Sequence, residues 1–215
     1  MSETLVIKAG DLGLTHRDGR FYGPLSFSLA AGEGLLIEVP FLDLLRRLMR
    51  CCQGTEEPGA GHLDWDLGVY PDEDSRWARY DFFRRIGFVD RDSQLLNALT
   101  LRHNLELYFG YARLDDPGGL AAGILKSFDL EDLADLRGDE LPEPSRRLAL
   151  YALALAKKPR LMLMERPLQF LDRDYEPVRA WVKDKAESEG LAYIIFDRDA
   201  SLYSPDDFKE LLSFS

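Results

Sequence analysis

The sequence has no long hydrophobic run. Its most apolar stretches, Gly34-Leu35-Leu36-Ile37 and Leu161-Met162-Leu163-Met164, stop far short of the roughly 18 residues a membrane span needs. A chain that does not cross a bilayer by itself is therefore expected. Cysteine is scarce: only Cys51 and Cys52 are present, and they are neighbours, with Cα atoms about 3.8 Å apart, too close for an unstrained disulfide. They are expected as reduced, half-buried packing residues, with a redox role as the minor alternative, because Arg46, Arg47 and Arg50 lie close by and cations lower a thiol pKa. His16, His62 and His103 are scattered without metal-ligand spacing, so no metal is assigned to them. Positive charge is in deficit, with a net charge of −11, which argues against a general nucleic-acid binder or a polybasic membrane clamp. The opening Met1-Ser2-Glu3-Thr4-Leu5 has neither a basic patch nor an apolar segment behind it, so a cytoplasmic home is expected.

What the 215 residues do contain is an ordinary globular composition, 46% hydrophobic and 30% charged, enough for one well-filled core. Short alternating or apolar runs over residues 4–8 and 25–31 lead through Ala31-Gly32-Glu33-Gly34 into a buried strand, Leu35-Leu36-Ile37. Leu42, Leu44, Leu45, Leu48 and Met49 then follow a helical spacing. Loops are expected between Gly54 and Gly61 and from Pro71 to Asp74, and a short strand at Ile86-Gly87-Phe88-Val89. From about Thr100 to Leu136 the pattern is helical, broken at Asp115-Asp116-Pro117-Gly118-Gly119 and near Asp129. Arg146 to Lys158 is a helix, with Pro142 and Pro144 suiting its first turn, and Pro159 ends it before a strand at 160–164. A helix over Tyr175 to Glu189, closed by Gly190, precedes a last buried strand at 191–196. Strands separated by helices imply a largely parallel sheet with right-handed crossovers.

Pro159-Arg160-Leu161-Met162-Leu163-Met164-Glu165-Arg166-Pro167-Leu168-Gln169-Phe170-Leu171-Asp172 matches, without a gap, the P-K-L-L-L-L-D-E-P-T-x-x-L-D of ABC ATPases. Leu141 to Ala156 is similar to that family's L-S-G-G-Q-R-x-R-x-x-x-A-R-A-L-A, and Gly32 to Pro40 to the approach to its phosphate loop. Arg85 to Val89 and Leu99 to Leu105 are similar to its Q-loop strand and the L-T-V-x-E-N-x beyond. Over about residues 4–200 the chain resembles the nucleotide-binding subunit of an ABC transporter, a degenerate member nearest in look to single-domain subunits of lipid, lipoprotein or haem-export transporters. The resemblance implies an α/β fold: a β-rich N-terminal part plus a mostly parallel sheet flanked by helices, and a small helical subdomain. As one domain spanning 1–215, it would place the α/β core at about 1–90 and 157–215 and the helical subdomain at about 91–156.

The resemblance rests on framework positions more than on chemistry. A phosphate loop, G-x-x-x-x-G-K-S/T, wraps a phosphate in backbone N–H groups, with a Lys and a Mg²⁺-binding hydroxyl beside them. Val39-Pro40-Phe41-Leu42-Asp43 stands in its place, about four residues shorter, without Gly, Lys or hydroxyl, and Asp43 has the wrong sign of charge. Glu165 replaces the Mg²⁺-orienting Asp, and Arg166 replaces the carboxylate that polarises the attacking water and cannot accept a proton. Arg91 replaces the Q-loop Gln, and Arg198 the switch His. Leu141-Pro142-Glu143-Pro144-Ser145 stands in for the signature loop, with two N–H donors lost to proline. No catalytic residue is therefore expected, and neither ATP nor Mg²⁺ as cofactor. Arg91, Arg166 and Arg198, interleaved with Asp90, Glu165, Asp197 and Asp199, are expected either to form an internal ion-pair network or to stand as solvated surface residues. The resemblance makes His16 and Tyr22, with Phe21 as a further candidate, positions for an adenine-stacking remnant, with core or surface packing as the other role for each, and Asp172 keeps the D-loop aspartate.

By this reading the chain is a pseudo-ATPase, a structural or regulatory subunit docked on a polytopic membrane transporter or a working ABC ATPase. Its partner surface would fall within residues 88–110, with Phe88, Leu95, Leu96, Leu99, Leu105, Leu107, Tyr108 and Phe109 as the apolar contacts. Two alternatives are a functional ATP-binding subunit with non-standard motifs and a stand-alone scaffold or anion-binding protein.

Overall fold

The computed structural model describes residues 4–68, 76–111, 115–171 and 175–215. Two sheets organise it. The first is antiparallel, in the order β2-β1-β4, from β1 (Leu5–Thr15), β2 (Phe21–Ala30) and β4 (Ala60–Trp65). The second consists of β3 (Gly34–Glu38), β5 (Ile86–Val89), β6 (Leu161–Glu165), β7 (Ala192–Asp197) and β8 (Glu210–Ser213). These five pair in the order β5-β6-β7-β3-β8, every pair parallel. The helices are α1 (Leu42–Cys52), α2 (Arg76–Arg84), α3 (Leu101–Tyr111), α4 (Pro117–Ser127), α5 (Glu143–Ala156), α6 (Pro167–Leu171) and α7 (Tyr175–Glu189).

The central parallel strands β3, β6 and β7 are buried on both faces, which is why they read as continuous apolar runs in sequence. Their side chains still alternate. Leu35, Ile37, Leu161, Leu163, Ile194 and Phe196 face α1 and the antiparallel sheet. Leu36, Met162, Met164, Tyr193 and Ile195 face the cluster built from α3, α4, α5 and α7. One sheet thus separates two cores, and its carboxyl end, where β3, β6 and β7 finish at Glu38, Glu165 and Asp197, is the only part of these strands that carries charge.

The buried strands and long helices lie where the sequence puts them, and the edges do not. β4 and β8 went unseen because their residues are mostly exposed and show no clean alternation. α2 went unseen as well. The break expected at residues 115–119 is shorter, since Pro117-Gly118-Gly119 is the first turn of α4, capped by the Asp116 carboxylate accepting from the Gly119 N–H at 3.1 Å. The expected loop at Pro71–Asp74 lies outside the described residues. Cys51 and Cys52 are fully buried rather than half-buried. Burial pushes the Cys51 thiol up to about 12 and Cys52 higher still, against a redox role. Among the described residues no helix is long and apolar enough to cross a membrane.

Candidate functional site

The carboxyl ends of β3, β6 and β7 converge on the start of α1. Glu165 and Asp197 are each only 2% exposed, so both carboxylates must be satisfied inside the protein. Glu165 accepts from the Arg46 Nε of α1 at 3.3 Å and from the backbone N–H of Arg91 at 3.0 Å. Asp197 accepts from the Tyr203 hydroxyl at 2.6 Å and the Arg198 N–H at 2.6 Å, and its Oδ1 lies 3.6 Å from the Arg166 Nε. Burial, and next the adjacent Asp197 charge, raise the Tyr203 phenol well above its ordinary range, so it stays a donor. The Glu38 carboxylate accepts from the Ala200 N–H at 3.1 Å.

The three arginines do not share one network. Arg166 is drawn in, over Asp197. Arg198 turns away and donates from Nε to the Pro40 carbonyl at 3.2 Å. Arg91 contributes its backbone, not its guanidinium, to Glu165. Asp90 accepts from the Ser93 hydroxyl, and Asp199 caps the turn at Ser201. The cation that does reach Glu165 is Arg46, which the sequence offered only as a cation close to Cys51 and Cys52. Tyr203 and Glu38 were missed too, because neither belongs to a periodic or motif-like pattern.

At the start of α1, Val39 donates to the Asp197 carbonyl at 2.8 Å, Pro40 has no N–H to give, and Phe41 is an N-cap without a side-chain hydrogen bond. Asp43, in the first turn, lies 3.1 Å from His16 Nε2, while Asp18 lies 2.9 Å from His16 Nδ1. The His16 ring stacks on Phe41 at 4.6 Å, with Tyr22 edge-on to both. At 8% exposure and with one face under Phe41, His16 is a packing residue here, not a platform open to a base. Phe21 is exposed and covers Gly13. Leu42 is half-buried. In the stretch standing in for the signature loop, Leu141 is buried, Pro142 is the N-cap of α5, and Glu143 is held by Arg146 at 3.3 Å and Arg147 at 3.1 Å. Asp172 lies outside the described residues.

The expected partner surface divides. Leu95, Leu105 and Phe109 are core residues, a correction that follows from their packing into the helical-side core, Leu105 and Phe109 from α3 and Leu95 from the stretch before it. Phe88, Leu96 and Leu107 are exposed, Leu99 and Tyr108 half-buried, and Tyr111 adds to the exposed set. Leu99, Leu107 and Tyr111 line an open groove of about 700 Å³ along α3 together with His103, Glu106 and Gly110.

This order of strands, with a charged cluster where a strand runs into the start of a helix, is that of a nucleotide-binding cassette. Solved structures agree. A dimeric ATP-binding cassette bound to ADP and Pi superposes with a TM-score of 0.79 at 21% identity, covering 97% of this chain and 94% of that one. No protein-family profile matches the chain. Among curated proteins, the molybdenum import ATP-binding protein ModC 2 of Azotobacter vinelandii is 41% identical over 93 residues, 42% of this chain and 25% of that protein. The cytochrome c biogenesis ATP-binding export protein CcmA of Rhizobium meliloti is 27% identical over 166 residues, 74% of this chain and 76% of that protein. The chain is a relative of the ATP-binding subunits of ABC transporters. The matches span only about a quarter to a third of the molybdenum importers. With importers and exporters both represented, the ABC relatives do not single out lipid or haem export.

They also correct one expectation. An absent nucleotide does not stand as an expectation for an ABC cassette whose relatives are ATP-binding proteins and whose fold neighbour holds ADP and Pi. At the turn Val39-Pro40-Phe41 the Val39 N–H is engaged and Pro40 has none, and Glu165 already accepts from two donors.

Proposed function

We propose that the chain is the cassette subunit of an ABC-type transport assembly, acting as a structural or regulatory component that does not turn over ATP by general-base hydrolysis. One observation carries the reading. At the position where the resemblance puts the water-polarising carboxylate stands Arg166, a permanent cation folded onto Asp197 at 3.6 Å. The neighbouring carboxylate, Glu165, is buried and turned inward, each of its oxygens accepting from a protein donor, Arg46 Nε and the Arg91 N–H. The exposed side chains Phe88, Leu96, Leu107 and Tyr111 supply a docking face for a polytopic membrane subunit, which would hold the chain at the cytoplasmic face of the membrane without inserting it.

A second reading is favoured by the names of the relatives: an ATP-binding subunit that works with non-standard contacts. The two separate in one experiment. Phosphate release from Mg-ATP by the purified chain is measured beside nucleotide binding by equilibrium dialysis. Phosphate release at background, whatever the dialysis gives, supports the first reading. Release well above background that disappears in Glu165→Gln would overturn it in favour of the second.

A further inference from the structure

Charge also gathers at the opposite end of the parallel sheet, where β5 and β6 begin. Leu161 and Glu165 mark the two ends of β6, about 13 Å apart at roughly 3.3 Å per residue. At the Leu161 end two helices finish side by side: α2 runs out at Arg84-Arg85 and α5 at Lys157-Lys158. The Arg85 carbonyl accepts the N–H groups of Arg160 at 2.8 Å and Leu161 at 3.1 Å, which locks the two turns together. Asp81, Arg84, Arg85, Lys157 and Lys158 line the resulting cavity of about 240 Å³.

Cations at helix C-termini have an ordinary role, since each terminus carries about half a negative charge. That role does not balance this cluster. Two termini and Asp81, 3.8 Å from Arg84, set against four cations, leave about two positive charges over among the described residues. The excess is notable in a chain whose net charge is −11. Lys157 cannot relieve it by moving into water, because its ammonium is half-buried over the rings of Tyr108 at 5.1 Å and Phe88 at 5.9 Å. Four like charges held together by backbone hydrogen bonds are a standing cost unless an anion visits. Guanidinium groups paired with ammonium groups suit the oxygens of a phosphate.

We propose that this cavity is a binding site for a phosphate-type dianion, with Arg84, Arg85, Lys157 and Lys158 as its contacts, separate from the nucleotide end of the sheet. The anion comes either from a soluble phosphate compound or from a phospholipid headgroup, and the same residues serve both.

Pyrophosphate is the probe, titrated by calorimetry and thermal melting at an ionic strength fixed with chloride. Because Arg85 and Lys158 are exposed, the double variant Arg85→Glu/Lys158→Glu keeps the fold, and its binding is expected to weaken at least about tenfold. Arg198→Gln, which alters the nucleotide end, is expected to leave binding unchanged. Co-sedimentation with vesicles containing anionic phospholipid, dependent on Arg85 and Lys158, identifies the headgroup as the source. Pyrophosphate binding without vesicle binding identifies a soluble compound. Absence of both, or binding lost in Arg198→Gln and kept in the double variant, overturns the proposal.

Discussion

The two ends of the parallel sheet treat charge in opposite ways. At the carboxyl end, acidic groups are deeply buried and each is matched: Glu165 by Arg46 and a backbone N–H, Asp197 by Tyr203, a backbone N–H and Arg166. At the amino end, basic groups that are exposed (Arg85, Lys158) or half-buried (Arg84, Lys157) outnumber the one carboxylate lining their cavity, Asp81. The difference teaches where energy is stored. Buried matched charges are costly to disturb, because removing one partner strands the other in a medium that cannot solvate it. Exposed unmatched charges cost little to remove and are free to meet a ligand.

The largest effect expected from breaking this comparison is at Asp197. Asp197→Ala leaves the Tyr203 hydroxyl without its acceptor and the Arg166 guanidinium without its counter-charge, and should lower unfolding free energy by about 3–5 kcal/mol in urea titrations. The same truncation of Asp81 should change it by less than about 1 kcal/mol. Equal losses would erase the distinction between the two ends.

Lys157 sharpens it. Burial pulls its pKa down to about 8 from 10.5, so the native chain gives up this proton before the unfolded chain does. Below pH 8 both states hold the proton and the cost of burying the charge is fully present. Between about pH 8 and 10.5 the unfolded state binds more protons, so the stability contributed at this position rises with pH. Lys157→Met should therefore stabilise the protein by on the order of 2 kcal/mol at pH 7, with the gain shrinking toward pH 10.5. Urea unfolding of both proteins across that range checks the sign.

A smaller effect belongs to His16, which joins the turn after β1 to the start of α1. His16→Ala removes the stack on Phe41 and the contacts to Asp18 and Asp43, at about 1–2 kcal/mol by thermal melting. A change near zero would show that the turn before α1 is held by Pro40 and Phe41 alone.

Much of the scaffold was legible because buried parallel strands and amphipathic helices advertise themselves. Leu161 to Met164 and Ala192 to Phe196 can only be interior, and the helix from Tyr175 to Glu189 was readable to the residue. Edge strands such as Glu210–Ser213 are half solvated and lose the period that would reveal them. The candidate site was legible as a set of positions but not as a set of contacts. Sequence order brings Glu165, Arg166, Asp197 and Arg198 to one place. Which guanidinium reaches which carboxylate depends on side-chain direction over long-range contacts, such as the 119 residues between Arg46 and Glu165. Leu95, Leu105 and Phe109 failed as surface residues for a related reason: an apolar residue on or just before α3 reads the same whether it faces a partner or the protein's own core.

Arg166 bends the chain into the left-handed region at φ +46, a conformation that costs a residue with a side chain about 1–2 kcal/mol. The bend persists because its N–H donates to the Phe196 carbonyl at 2.9 Å and its side chain is anchored on Asp197. Glycine here would lose the anchor and relax the backbone together, two changes of opposite sign, whereas valine or isoleucine would suffer both penalties. The position is thus tolerant toward the smallest residue and intolerant toward branched ones, a mutational asymmetry set by the turn and not by the charge it displays.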